Sequence, residues 1–127
     1  MIRRLQQRAT EEQGFTMIEI LIVLQIMGIL ILIALPSYLG ARDQAAKRAA
    51  QSNLRGAIAA AQTYGDDHSQ SYVGMDLAGL QAIDSGVSTT LVVKSATATN
   101  YCLTDTVRGW KAYVLGPGGK PTMTAVC

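Results

Sequence analysis

The hydrophobic pattern changes character once along the chain, and that change predicts most of the architecture. Residues 15–36 read FTMIEILIVLQIMGILILIALP, in which only Glu19 and Gln25 are strongly polar and Thr16 lies close to the start. A bilayer core of about 30 Å needs roughly 20 apolar helical residues, which this run supplies. A helix apolar on every side otherwise belongs inside a large protein, and the remaining chain is too short to surround it. From residue 39 to 64 the pattern turns amphipathic. Ala45, Ala46, Ala49, Ala50, Leu54, Ala57, Ile58 and Ala61 recur at helical spacing, with Arg42, Lys47, Gln51 and Arg55 between them. The two stretches together predict one helix over 16–64, roughly 70 Å long. Gly28, a poor helix former, and Pro36, which removes a helical hydrogen bond, are its expected hinge points.

Beyond the helix, Gly65-Asp66-Asp67-His68-Ser69-Gln70-Ser71 reads as a turn-rich break. Asp76 is placed to cap a short helix over 77–83, which Gly86 helps to end. Four short β-branched or aromatic runs follow, at 89–94, 100–107, 110–115 and 122–126, separated by turn residues such as Arg108-Gly109 and Gly116-Pro117-Gly118-Gly119. The expected fold class is α+β: a long N-terminal helix whose amphipathic half packs on a small C-terminal antiparallel sheet.

Composition narrows the picture. The chain has 127 residues and is 49% hydrophobic but only 6% aromatic, so a globular part outside the apolar run buries a modest, alanine-rich core. A net charge of +2 is too small to indicate a nucleic-acid binder. Arg42, Lys47, Arg48 and Arg55 read as a solvated helix face rather than a binding patch. With a single His and no nucleophile–base pair, metal-spaced cluster or phosphate loop, neither catalysis nor a cofactor is expected. Asp66, Asp67 and Asp76 do not have the spacing of a calcium loop. His68 reads as an exposed loop residue and Trp110 as a core or rim packing residue. Cys102 and Cys127 lie beyond the apolar run, in what would be an oxidising compartment, and are expected to form a disulfide.

The ends of the apolar run bear on its processing. The flank MIRRLQQRATEEQG is short, polar and basic early, which favours an inside N-terminus, although Arg42, Lys47 and Arg48 beyond the run weaken the asymmetry. The run is longer than the apolar region of a secretory signal and no small-residue cleavage site follows it, so any processing site should precede it.

Gly14-Phe15-Thr16-Met17-Ile18-Glu19 resembles the processing site of type IV prepilins. The resemblance covers residues 14–38 and is weak beyond them. It implies cleavage between Gly14 and Phe15 by a membrane-embedded aspartyl peptidase that also methylates the new N-terminus. It further implies that Glu19 serves assembly, facing the Phe15 amine of an adjacent subunit, and that Pro36 occupies a position where the family carries a helix-kinking proline. Gln25 departs from the family, whose members mostly carry a small or aliphatic residue there. It either bonds a neighbouring helix or is tolerated in a protein-packed core.

The expected organisation is a cleaved leader (1–14), a transmembrane and filament-core helix (15–38) and its amphipathic continuation (39–64). A connecting loop with a short helix (65–87) and a sheet with a disulfide-bounded C-terminal segment (88–127) complete it. The function this implies is that of a pilus subunit for adhesion, motility or DNA uptake. It would be inserted once in the cytoplasmic membrane and then assembled outside the cell. Its partners would be related subunits, the prepilin peptidase, and an assembly platform with its ATPase. The rivals are a pseudopilin of a type II secretion system and, from another class, a membrane-tethered enzyme or receptor. The lack of a convergent polar site argues against the third, and genes for a retraction ATPase or a secretion channel beside this one would separate the first two.

Overall fold

The computed structural model describes residues 14–127; the basic part of the expected leader lies outside the described residues. Helix α1 spans Met17–Asp67 without a break. Its start is fixed by Thr16, whose hydroxyl accepts the Glu19 N–H at 3.2 Å, satisfying one of the amides that a helix N-terminus leaves unpaired. The chain divides into two compact units, Met1–Leu39 and Gly40–Cys127. In the first, the apolar side chains from Phe15 to Leu39 are exposed around the whole circumference of α1. One helix is therefore long and apolar enough to cross a membrane.

In the second unit α1 supplies one wall of a core. Ala46, Ala50, Leu54, Ala57, Ala60, Ala61 and Gly65 are buried, whereas Ala45 falls outside this stripe. Small side chains on that stripe let the opposing layer approach closely. A Cβ on Gly65 would come within 2.8 Å of the Tyr72 ring. Gly65 lies in the helix instead of the expected turn, its missing side chain making room for that ring, and α1 ends three residues later than the sequence suggests. The exit is made by Ser69 and Gln70, both at positive φ. His68 stacks on Tyr64 at 4.0 Å and its Nδ1 donates to the Tyr64 carbonyl at 2.8 Å.

Helix α2, Leu77–Ile83, is capped by Asp76, whose carboxylate accepts the Gly79 N–H at 2.7 Å. Three strands follow, β1 (Val92–Ala96), β2 (Tyr101–Val107) and β3 (Trp110–Gly116), in an antiparallel sheet of order β1-β2-β3. Leu103 pairs with Val93 on one side and Val114 on the other. Alternation along β2 sends Tyr101, Leu103 and Asp105 to the helix face, opposite Gly116, Val114 and Ala112 of β3.

Two expected strands are corrected. Residues 89–91 belong to a turn, because Leu91 N–H bonds Ser88 O at 3.2 Å and the Thr90 hydroxyl is engaged elsewhere, so β1 begins at Val92. The expected fourth strand, 122–126, amounts to a single bridge between Thr122 and Tyr113. Pro121 has no amide to offer a ladder, and the Thr122 hydroxyl turns the chain by accepting Thr124 N–H at 3.1 Å and donating to Thr124 O at 2.8 Å.

Candidate assembly helix and the C-terminal staple

The expected processing residues stand at the beginning of α1. Gly14 is exposed and outside the helix, and a Cβ there would meet nothing within 4 Å. Phe15 is 79% exposed. Glu19 lies one turn on, in the first turn of α1, where a carboxylate also complements the helix dipole. Its carboxylate has no partner among the described residues, because the Thr16 hydroxyl engages its backbone N–H and not its side chain. Thr16 is a residue that the resemblance does not single out. Its signal was present, because threonine followed three residues later by glutamate is the pattern of a helix start. Helix continues through both expected hinges: Gly28 is surrounded by open space, and Pro36 sits inside α1.

At the other end of the chain, Cys102 and Cys127 form a disulfide with Cα atoms 6.2 Å apart. Cys102 is buried on the central strand and Cys127 is exposed. The bridge spans 25 residues and encloses β3 and the turn after it. It ties the end of the chain to the middle of the sheet. Trp110 lies at the rim of the same sheet: its indole N–H donates to Asp43 Oδ1 at 3.4 Å and Lys47 Nζ sits 3.9 Å above the ring.

Asp105 is a structural residue not singled out from the sequence. It is fully buried on β2 and accepts from Asn53 of α1 at 2.8 Å, from Thr90 at 2.6 Å and from Ser88 at 3.3 Å. These bonds join helix, connecting segment and sheet through one carboxylate, and hydrogen bonding of that kind is what makes a buried charge tolerable. The alternation YCLTDTV, which puts an aspartate on the inward face, is the signal that could have found it.

Comparison with known proteins bears on the apolar helix first and then on the chain at large. Residues 10–35 match the family described as the prokaryotic N-terminal methylation motif. The chain is also 33% identical over 121 residues to the "Type IV wide pilus major component PilA4" of Thermus thermophilus, covering 90% of each chain. The likeness thus extends through α1, α2 and the sheet rather than stopping at the motif.

Proposed function

Because the chain belongs to the type IV pilin family, we propose that it is a structural subunit of a pilus, cleaved between Gly14 and Phe15, methylated on the Phe15 amine, and polymerised through α1. The observation that carries this reading is the run of apolar side chains from Phe15 to Leu39, exposed on every side of one helix. Such a surface needs lipid before assembly and copies of the same helix afterwards. Glu19 would accept the Phe15 amine of a neighbouring subunit and so fix the height at which that subunit joins. The attraction is stronger in low dielectric but is offset by desolvation of both charges, so its main use is register rather than affinity. A prepilin peptidase, an assembly platform and its ATPase would act on the precursor in the cytoplasmic membrane. The finished filament would lie outside the cell and serve adhesion, motility or DNA uptake.

A pseudopilin of a type II secretion system would share everything from Gly14 to Tyr38. Likeness to a pilus component along 90% of the chain supports the pilus, as does the disulfide-bounded C-terminal segment. The test is mass spectrometry of sheared surface filaments. Their subunit should begin at methylated Phe15, and replacing Gly14 with leucine should leave uncleaved precursor in the membrane and no filaments. Assembled filaments that retain Met1 would overturn the reading.

A further inference from the structure

Arg42 and Lys47 stand just beyond the apolar run, where they blunt the charge asymmetry that would set its orientation, and neither processing nor register uses them. Folding gives them companions from the far end of the chain. Arg108 and Gly109, both at positive φ, make the turn between β2 and β3. Arg108 and Arg42 line one groove together with Ala45, Ala49 and Val107. Lys111 and Lys47 line a second with Trp110 and Tyr113. The indole N–H is on Asp43 and Lys47 Nζ lies 3.9 Å above the ring. Among the described residues, four cations and one carboxylate, Asp43, therefore gather around this turn, and the carboxylate is already engaged by the indole.

Reach decides what this surface can meet. Arg42 and Asp43 follow Leu39, the end of the apolar run, by three and four residues, which a chain cannot stretch beyond about 11 and 14 Å. The headgroup layer on each side of a bilayer is about 5–7 Å thick, and long basic side chains carry their charge well away from their own backbone. Trp110 is exposed and touches Asp43, so it shares that reach, and indole rings concentrate at headgroup depth. A second copy of the chain is a poorer match. Its exposed Asp66 and Asp67 end α1 about 35 Å along the helix from Asp43. Asp66, Asp76 and Asp84 already accept from the Gln70 side chain, Gly79 N–H and Gly86 N–H.

We propose that, in the membrane-inserted precursor, the turn between β2 and β3 and the adjoining part of α1 form a docking surface for anionic phospholipid headgroups. Arg42, Lys47, Arg108 and Lys111 meet the phosphates, and Trp110 sits at headgroup level. The contact holds residues 40–127 at the bilayer surface until the subunit leaves the lipid. It rests on the membrane insertion in the reading above and not on filament formation.

Trp110 is the single tryptophan, so its fluorescence reports on this surface alone. Full-length precursor would be reconstituted at low density in vesicles of phosphatidylcholine, or of equal parts phosphatidylcholine and phosphatidylglycerol. Both would carry the same fraction of nitroxide-headgroup lipid. In the anionic vesicles at about 0.01 M salt, Trp110 should be quenched more strongly and emit at shorter wavelength than in the neutral ones. That difference should be lost at about 1 M salt, where the Debye length has fallen from about 30 Å to about 3 Å. The double variant Arg108→Gln, Lys111→Gln should behave in anionic vesicles as the parent does in neutral ones. Lys94→Gln, on the opposite edge strand, should behave as the parent. Parent fluorescence indifferent to lipid charge and salt would overturn the inference and leave insertion and the pilus reading intact. A double variant as sensitive to lipid charge as the parent would overturn it too. So would an emission shift that follows protein density instead of lipid charge, which would point to contact between copies. Precursor that alkali washes out of the vesicles would overturn insertion and the inference together.

Discussion

The hydroxyl of Tyr101 is a buried side-chain polar atom with no hydrogen-bond partner among the described residues. The ring is wedged between Tyr72, edge-on at 4.7 Å, and Gly116, where a Cβ would overlap it. Burial, and secondarily the neighbouring Tyr72, push the phenol's pKa up to about 12 from its ordinary value of 10.0. The folded state therefore holds this proton after the unfolded chain has lost its own. The associated stability is fully present below pH 10 and is lost as pH rises through about 12, at a total of about 2–3 kcal/mol. Tyr101→Phe should abolish that part of the alkaline loss. It should also match or exceed the parent at neutral pH, by up to about 1 kcal/mol, because an unpaired hydroxyl is removed. Denaturant titration of both proteins in detergent between pH 8 and 12 is the check, and identical alkaline slopes would show that Tyr101 is not the group responsible.

At the scale of elements, the disulfide is the feature whose removal is most informative. The loop it closes spans 25 residues, which in the chain-entropy picture corresponds to roughly 3–4 kcal/mol. Cys127 is exposed, so Cys127→Ala removes the bridge without opening a cavity. Its stability should fall by that order, and amide protection should drop after Gly116 while the β1–β2 pairs persist. Unchanged protection across residues 117–127 would mean that the segment is held by something else. The same segment marks where sequence reading stops. Helix α2 was legible because Asp76 announces it, and β3 because WKAYVL is a short aromatic and aliphatic run set between the turn residues Arg108-Gly109 and Gly116-Pro117. The run at 122–126 looks like a strand, but its Thr122 hydroxyl turns the chain away from the ladder. Thr89 and Thr90 are likewise β-branched, yet the Thr90 hydroxyl serves Asp105, a residue 15 positions away. Local propensity carries no information about such a partner. The residues proposed for processing and assembly stand out in the sequence for the opposite reason. Gly14, Phe15 and Glu19 sit within one short stretch whose chemistry is conspicuous against an apolar background, whereas Asp105 acts through residues scattered along the chain.

The whole molecule joins a unit with a core to a unit without one. Residues 40–127 bury their apolar groups internally, while residues 15–39 present theirs outward and so depend on lipid or on other copies. Within that surface a carboxylate is a cost during insertion, so on the proposed assembly Glu19 would be the point where membrane and filament place opposite demands on one side chain. Glu19→Ala removes the cost and leaves the start of α1 intact, because Thr16 caps the backbone N–H of residue 19 and not its side chain. The variant should therefore insert at least as well as the parent and still be cleaved at Gly14. Filament yield should nevertheless collapse, since the Phe15 amine of an incoming subunit no longer finds its partner at one particular height. Glu19→Gln should fall between the two: it keeps a hydrogen-bond acceptor but not the charge, so some register survives with less discrimination. Quantifying membrane-inserted precursor, cleaved subunit and sheared filament in the same cells separates these steps. Cleaved Glu19→Ala subunit at parental levels with parental filament yield would remove the carboxylate from assembly. Loss of cleavage in that variant would instead move its role to recognition by the peptidase.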